Sequence, residues 1–190
     1  LLTIISGKFK GHKIICPKSG TRPTKSMVKK ALFDTIRPDL EEAIFCDLFA
    51  GSGAVGLEAL SQGAKFCYFN EASKEALNCL KKNISSLKCE QTSAVSIKKA
   101  SKFLDVHQDL CQKIDIFFID PPYDISKDDP SSYEALLDFF NKTPLKNNVL
   151  IICESQDPQR IEKPLENLEA LYLENKKSYG DSILFYIKKG

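Results

Sequence analysis

Along this chain, short apolar runs and longer stripes of helical period take turns from residue 43 onward. The run at 44–49 predicts a strand and 53–62 a helix. Lys65–Asn70 predicts a second strand, and Ser73 caps a second helix reaching about Ser85. Ser93–Ile97 predicts a third strand, Ser101–Leu110 a short helix, and Ile114–Ile119 a buried strand. A polar stretch at 124–131 precedes a helix at Tyr133–Asn141 and a strand at Asn148–Glu154. The end changes character. Leu171–Lys176 and Ser182–Lys188 flank Tyr179-Gly180-Asp181, the pattern of an antiparallel hairpin. Repeated strand–helix alternation predicts an α/β fold, its parallel sheet covered by helices on both faces.

A different segment comes first. Thr3–Ile5 and His12–Cys16 predict a small β-hairpin around Gly7 and Gly11, and Pro17 to Pro23 reads as loop. Thr24 can cap a helix from Lys25 to about Ile36, with Met27, Val28, Ala31, Leu32 and Ile36 on one stripe and Pro38 as its expected end. The expected organisation is an extension at 1–23 followed by a main domain at 24–190.

Two connections carry the chemistry. The first is Asp47-Leu48-Phe49-Ala50-Gly51-Ser52-Gly53-Ala54-Val55-Gly56, between a strand and a helix. Glycines there let the backbone turn sharply and let a ligand approach it closely, while the helix behind offers unpaired N–H groups. Gly51, Gly53 and Gly56 match the dinucleotide fingerprint, with Glu71 at about the distance of a ribose-binding acid. By itself the turn leaves NAD open.

The second connection narrows the choice. Asp120-Pro121-Pro122-Tyr123 directly follows an apolar strand. Two prolines stiffen the loop and remove two N–H donors, Asp120 adds a carboxylate acceptor, and Tyr123 adds a flat aromatic face. Such a loop suits a planar base with an exocyclic amine. The glycine turn, Glu71 and this loop all follow strands, so all are expected to open on one cleft.

Composition adds three constraints. The chain has 190 residues, 43% hydrophobic and 27% charged, enough for a sizeable core. No apolar run reaches the ~18 residues of a membrane span, and Leu1-Leu2-Thr3-Ile4-Ile5 lacks the basic leader of a signal peptide. Seven cysteines without a Cys-x-x-Cys pair argue against a disulfide framework or a zinc site, so a reducing, cytoplasmic setting is expected. The net charge of +2 hides a segment, residues 1–33, that carries +8 and no acid. Charge sorted this way predicts a polyanionic partner.

Taken together, the glycine turn and the Asp120–Tyr123 loop resemble the class I S-adenosylmethionine-dependent amino methyltransferases. More narrowly, the chain resembles the RsmD family, which methylates N2 of a guanine in small-subunit (16S) ribosomal RNA. The likeness also covers Ile5-Ser6-Gly7, Lys10-Gly11, Thr21-Arg22-Pro23-Thr24, Ala31-Leu32-Phe33, Leu57-Glu58-Ala59, Lys82-Asn83 and the closing Tyr179-Gly180-Asp181. It implies a Rossmann-like fold with a mostly parallel seven-stranded sheet, a C-terminal antiparallel hairpin and the small N-terminal hairpin as an extension.

The resemblance also implies roles. Asp47, Phe49, Ala50, Gly51, Ser52 and Gly53 would hold the methionine part of S-adenosylmethionine, Asp47 near its ammonium, with Arg22 and Thr24 at the same end. Glu71, next to Ala72, would accept hydrogen bonds from the ribose hydroxyls. Lys99 and Ala100 fall at the adenine. There the family usually has a polar or acidic side chain, and a lysine cannot accept from the adenine amine, so backbone groups or a neighbouring register would have to read it. Asp120, Pro121, Pro122 and Tyr123 would be catalytic, while Lys8, Lys10, Lys13 and Arg22 would meet RNA. The implied partner is ribosomal RNA, within a small-subunit particle or assembly intermediate. The protein is expected to act as a monomer, with no metal and no membrane. A DNA adenine or protein glutamine methyltransferase, or a silent RNA-binding assembly factor, shares parts of the pattern.

Overall fold

The computed structural model describes residues 2–17, 26–123 and 125–190. Arg22 and Thr24 lie outside the described residues, as does the expected boundary at 23/24. The chain forms two compact units, Leu1–Lys98 and Lys99–Gly190.

In the first unit, β1 (Leu2–Thr3) and β2 (Lys13–Ile14) pair antiparallel, which is the expected hairpin in shorter form. Helix α1 (Ser26–Leu40) follows, burying Val28, Leu32, Phe33, Ile36 and Leu40. Pro38 lies inside α1 and does not end it. A proline in the last turn costs only one hydrogen bond to the preceding turn, and buried Leu40 anchors the turn beyond it. Strands β3 (Ile44–Asp47), β4 (Phe66–Asn70) and β5 (Ser93–Ser96) are parallel neighbours in the order β5-β4-β3. Helix α2 (Ala54–Ser61) links the first two, and α3 (Lys74–Ser86) the second pair. The Ser73 side chain caps α3 by accepting from the Ala76 N–H at 3.4 Å.

Every residue of α2 is buried. It packs so closely on β4 that a Cβ on Gly56 would stand 2.3 Å from Phe69 and 2.7 Å from Cys67. The sequence shows a helix that is apolar apart from Glu58 and its last residue, Ser61, and that acid proves to be the unit's main polar anchor. Its wholly buried carboxylate accepts from Ile5 N (2.8 Å), Ser6 N (2.9 Å) and Gln62 Nε2 (2.8 Å), and pairs with equally buried Lys29 at 2.9 Å. Lys29 also donates to the Thr3 carbonyl at 2.8 Å. The ammonium and the carboxylate thereby satisfy each other and fix the hairpin on α1 and α2.

In the second unit, the expected single helix at 101–110 is two, α4 (Ala100–Val106) and α5 (Gln108–Cys111). They break at His107 (φ −125°, ψ 34°), whose ring packs 4.9 Å from that of Phe103. Strands β6 (Ile116–Ile119) and β7 (Leu150–Ser155) are parallel. Helix α6 (Tyr133–Lys142) connects them, burying Tyr133, Leu136, Leu137 and Phe140 at helical spacing and capped by Ser132. A short helix, α7 (Gln159–Leu165), follows. Then β8 (Leu171–Tyr179) and β9 (Ser182–Lys189) form the expected antiparallel hairpin, β9 also pairing antiparallel with β7.

The fold is thus α/β, with a mostly parallel seven-stranded sheet, a C-terminal antiparallel hairpin and a small N-terminal hairpin. All seven cysteines are free thiols.

Candidate functional site

Strand β3 ends at Asp47, whose side chain is buried at the start of the glycine turn. One carboxylate oxygen, Oδ2, accepts from Gly56 N at 3.2 Å; the other, Oδ1, is buried with no hydrogen-bond partner among the described residues. Burial pushes this carboxyl up to about 7, opposed by the N–H groups of Gly56 and, more weakly, Phe49, and reinforced by the charge of Glu71. A buried acceptor held in this way is poised for a cationic donor.

The turn itself is shaped for a guest. Gly51 and Gly53 adopt φ +53° and +84°, values that side-chain-bearing residues resist, and above Gly51 there is open space within 4 Å of where a Cβ would stand. Glu71, just past β4, fixes the turn from the other side. Its Oε2 accepts from Gly51 N at 2.7 Å and its Oε1 from Ser73 N at 2.6 Å. Each oxygen keeps lone-pair capacity for a hydroxyl, since an ionised carboxylate offers about four acceptor sites. Phe49 is partly exposed, Ala50, Ser52 and Gly53 are buried in the turn, and Ala72 is exposed beside Glu71.

Two asparagines that the sequence did not single out for this site organise it. Asn70 Nδ2 donates to Leu48 O (3.2 Å) in the glycine turn and to Lys98 O (2.9 Å), while its main-chain carbonyl accepts from Ala50 N at 3.0 Å. It sets the spacing between the turn and the segment after β5. Asn83 Nδ2 donates to Ser52 O (2.8 Å) and Ile15 O (2.9 Å), tying the turn to the chain after the hairpin. Both side chains are almost wholly buried, and in the mostly polar α3 nothing in the sequence marks Asn83 for burial.

Lys99 precedes α4 in extended conformation and its side chain points to Asp129, 3.7 Å away; Ala100 next to it is buried. The basic side chains of the N-terminal hairpin, Lys8, Lys10 and Lys13, are all exposed. Lys8 lies over the ring of Phe9 at 4.9 Å.

In the second unit, β6 is buried along its whole length and delivers Asp120 at its carboxyl end. Pro121 is buried, Pro122 is exposed, and the Tyr123 side chain stands in solvent, 77% exposed. An aromatic ring left out of the core on a proline-stiffened loop offers a flat face to solvent. The loop is clasped from α7. Arg160 donates to Tyr123 O (3.2 Å) and Ile125 O (2.8 Å), and its guanidinium lies 5.4 Å from the centre of the Tyr133 ring. Pro122 O accepts from Ile125 N at 3.0 Å. Tyr133 donates to the Glu154 carbonyl; burial, with the charge of Asp120 second, pushes its phenol well above the ordinary value. Arg160, which holds this loop by two carbonyls, is a neighbour that the sequence reading did not identify.

Among the described residues, no group of three or more His, Cys, Asp or Glu is arranged to hold a metal ion, and no helix is long and apolar enough to cross a membrane.

Comparison with known proteins agrees with this geometry. The family model described as Conserved hypothetical protein 95 matches residues 2–188. Ribosomal RNA small subunit methyltransferase D of Haemophilus influenzae is 35% identical over 179 residues, 93% of this chain and 88% of that protein. The enzyme of the same name from Buchnera aphidicola subsp. Acyrthosiphon pisum is 33% identical over 164 residues, 85% of this chain and 81% of its own length. Among solved structures, a hypothetical protein of Thermus thermophilus superposes with a TM-score of 0.79 at 27% identity, each chain 98% covered. A glycine turn with a waiting buried carboxylate, a clasped Asp-Pro-Pro-Tyr loop and matches over nearly the full length lead to one assignment: the chain belongs to the Conserved hypothetical protein 95 family, the RsmD family of ribosomal RNA small subunit methyltransferases.

Proposed function

We propose that this chain methylates the exocyclic N2 amine of a guanine in small-subunit ribosomal RNA, using S-adenosylmethionine. The observation that carries the reading is the loop after β6. It places a carboxylate, proline carbonyls and an exposed aromatic ring together on a rigid support held by Arg160. A planar base with an amino group is the chemistry those groups fit.

The cofactor fits the residues present. The buried Asp47 Oδ1, which has no partner among the described residues, suits an ammonium, the space above Gly51 a close backbone approach, and Glu71 a pair of ribose hydroxyls. Bound there, S-adenosylmethionine supplies a methyl group activated by a positively charged sulfur. Arg22 and Thr24 would complete the amino-acid end, and the backbone at Lys98–Ala100, spaced by Asn70, the adenine end.

A guanine amine is a poor nucleophile because its lone pair is delocalised into the ring. Asp120 and the Pro121 carbonyl accept hydrogen bonds from its two N–H groups, rotating the lone pair out of conjugation. The same carboxylate stabilises the positive charge that grows on nitrogen, so the loop acts by orientation and preorganised electrostatics. Tyr123 stacks on the base, which must leave its helix or be presented unpaired. Lys8, Lys10 and Lys13 attract the phosphate backbone. The setting is the bacterial cytoplasm, on a small-subunit particle or its assembly intermediate, with the protein acting as a monomer.

The test is Asp120→Ala. S-adenosylhomocysteine should bind as to the wild type, while single-turnover transfer to small-subunit RNA should slow by on the order of 10²–10³. Wild-type turnover in that variant would remove Asp120 from the reaction.

A further inference from the structure

The first unit holds a cleft of about 320 Å³ with no part in the chemistry above. Lys30, Asp34 and Arg37 line one side, spaced along a single face of α1, and Lys10 of the hairpin lines it too. Phe33 and Ile5 give it an apolar floor, and Gln62 an amide.

Three features make it a site and not a chance hollow. First, its walls are fixed before any ligand arrives. Ile5 and Ser6 hang by their N–H groups on the buried Glu58 carboxylate, and Glu58 is locked to Lys29 of α1. Little ordering then remains to oppose binding.

Second, the charges are organised. Asp34 accepts from Lys30 Nζ at 2.5 Å and faces Arg37 Nη2 at 3.5 Å, so it holds both cations alongside the cleft. The hydrogen bond from Lys30 keeps its carboxyl below the usual range, and it stays ionised. Three cations against one acid leave the cleft with an excess of two positive charges. Third, the charge continues outside: Lys8 and Lys13 are exposed on the same hairpin as Lys10. A guanidinium fork beside point-charge ammonium groups, in line with further lysines, suits a phosphate that belongs to a chain of phosphates.

We propose that this cleft seats one phosphodiester group of the RNA substrate, gripped by Lys10, Lys30 and Arg37, away from the base that is methylated. The assignment rests on the RNA reading above. It makes Asp34 a built-in attenuator, since its negative charge subtracts from the pull on the phosphate. The sign of its effect is therefore fixed.

The experiment is fluorescence anisotropy with a fluorescein-labelled 30-nucleotide single-stranded RNA, across a series of salt concentrations. Wild type is compared with Lys30→Gln/Arg37→Gln and with Asp34→Asn. These side chains are 65%, 69% and 47% exposed, so the variants should keep the wild-type melting temperature and affinity for S-adenosylhomocysteine. The double variant should bind RNA about fivefold more weakly at moderate salt, and its log–log salt slope should shrink by about 0.7 for the one phosphate lost. Asp34→Asn should bind about two- to threefold more tightly. Wild-type affinity and slope in both variants, or weaker binding by Asp34→Asn, would overturn the cleft assignment and leave the RNA reading standing. A wild-type protein without salt-dependent RNA binding would overturn both.

Discussion

The buried carboxylate of Asp47 gives the cofactor site a pH dependence whose sign can be worked out in advance. In the free protein its carboxyl is pushed up to about 7 by burial, against an ordinary value of 3.8. An ammonium seated on Oδ1 needs the ionised form. At pH 5.5 about 3% of such carboxyls are ionised, against about 90% at pH 8, by simple titration around a value near 7. The affinity for S-adenosylhomocysteine, whose amino group stays protonated throughout, should therefore fall about 30-fold between pH 8 and pH 5.5. Isothermal calorimetry at half-unit steps reads this directly. Asp47→Asn should bind more weakly and show no such step.

Stability must follow the same group. Between pH 4 and 7 the folded protein holds a proton that the unfolded chain has released, so raising the pH through this window removes stability. The loss is on the order of 4 kcal/mol in the ligand-free protein relative to Asp47→Asn. Saturating S-adenosylhomocysteine should offset it. A wild-type affinity that is flat from pH 8 to 5.5 would refute the ammonium contact and the reasoning behind it.

Further outcomes are expected elsewhere. Glu58→Ala leaves the Lys29 ammonium buried with, among the described residues, only the Thr3 carbonyl, and strips Ile5 and Ser6 of their acceptor. It should cost about 3–5 kcal/mol and lower the melting temperature by roughly 10 °C; a shift under about 2 °C would mean that the pair does not anchor the hairpin. Arg160→Met releases two carbonyl contacts on the Asp-Pro-Pro-Tyr loop. Turnover should drop about tenfold with S-adenosylhomocysteine affinity unchanged, since small misplacement of reacting groups is costly, and an unaltered rate would remove Arg160 from loop positioning. Tyr123→Ala should raise the RNA KM and lower kcat with wild-type stability, because the ring is exposed and base stacking is worth roughly 1–3 kcal/mol. An unchanged KM would assign the base-stacking face elsewhere.

Much of the scaffold could be read from the sequence because its signals are local. The strand ending at Asp47, the Ser73 cap, the all-apolar β6 and the hairpin around Gly180 each declare themselves within ten residues or so. What stayed hidden depends on partners far along the chain. Glu58 sits in a helix apolar enough to pass as plain core, and its meaning comes from Lys29 and the amides of Ile5 and Ser6. Helix α7 is seven residues long, contains Pro164 and buries only Ile161, so no periodicity announces it or Arg160. The break at His107 has no signal in the local sequence, and the run of α1 past Pro38 follows from burying Leu40. The roles of Asn70 and Asn83 also depend on distant partners: their amides reach the carbonyls of Leu48, Lys98, Ser52 and Ile15 and brace the glycine turn.

The most direct measurement supplies the purified protein with S-adenosylmethionine carrying an isotopically labelled methyl group and with small ribosomal subunits from cells lacking this protein. The RNA is then digested to nucleosides for mass spectrometry. The account predicts label in N2-methylguanosine, at one position of the small-subunit RNA. Label in N6-methyladenosine or in ribosomal protein, or no label in any product, would contradict it.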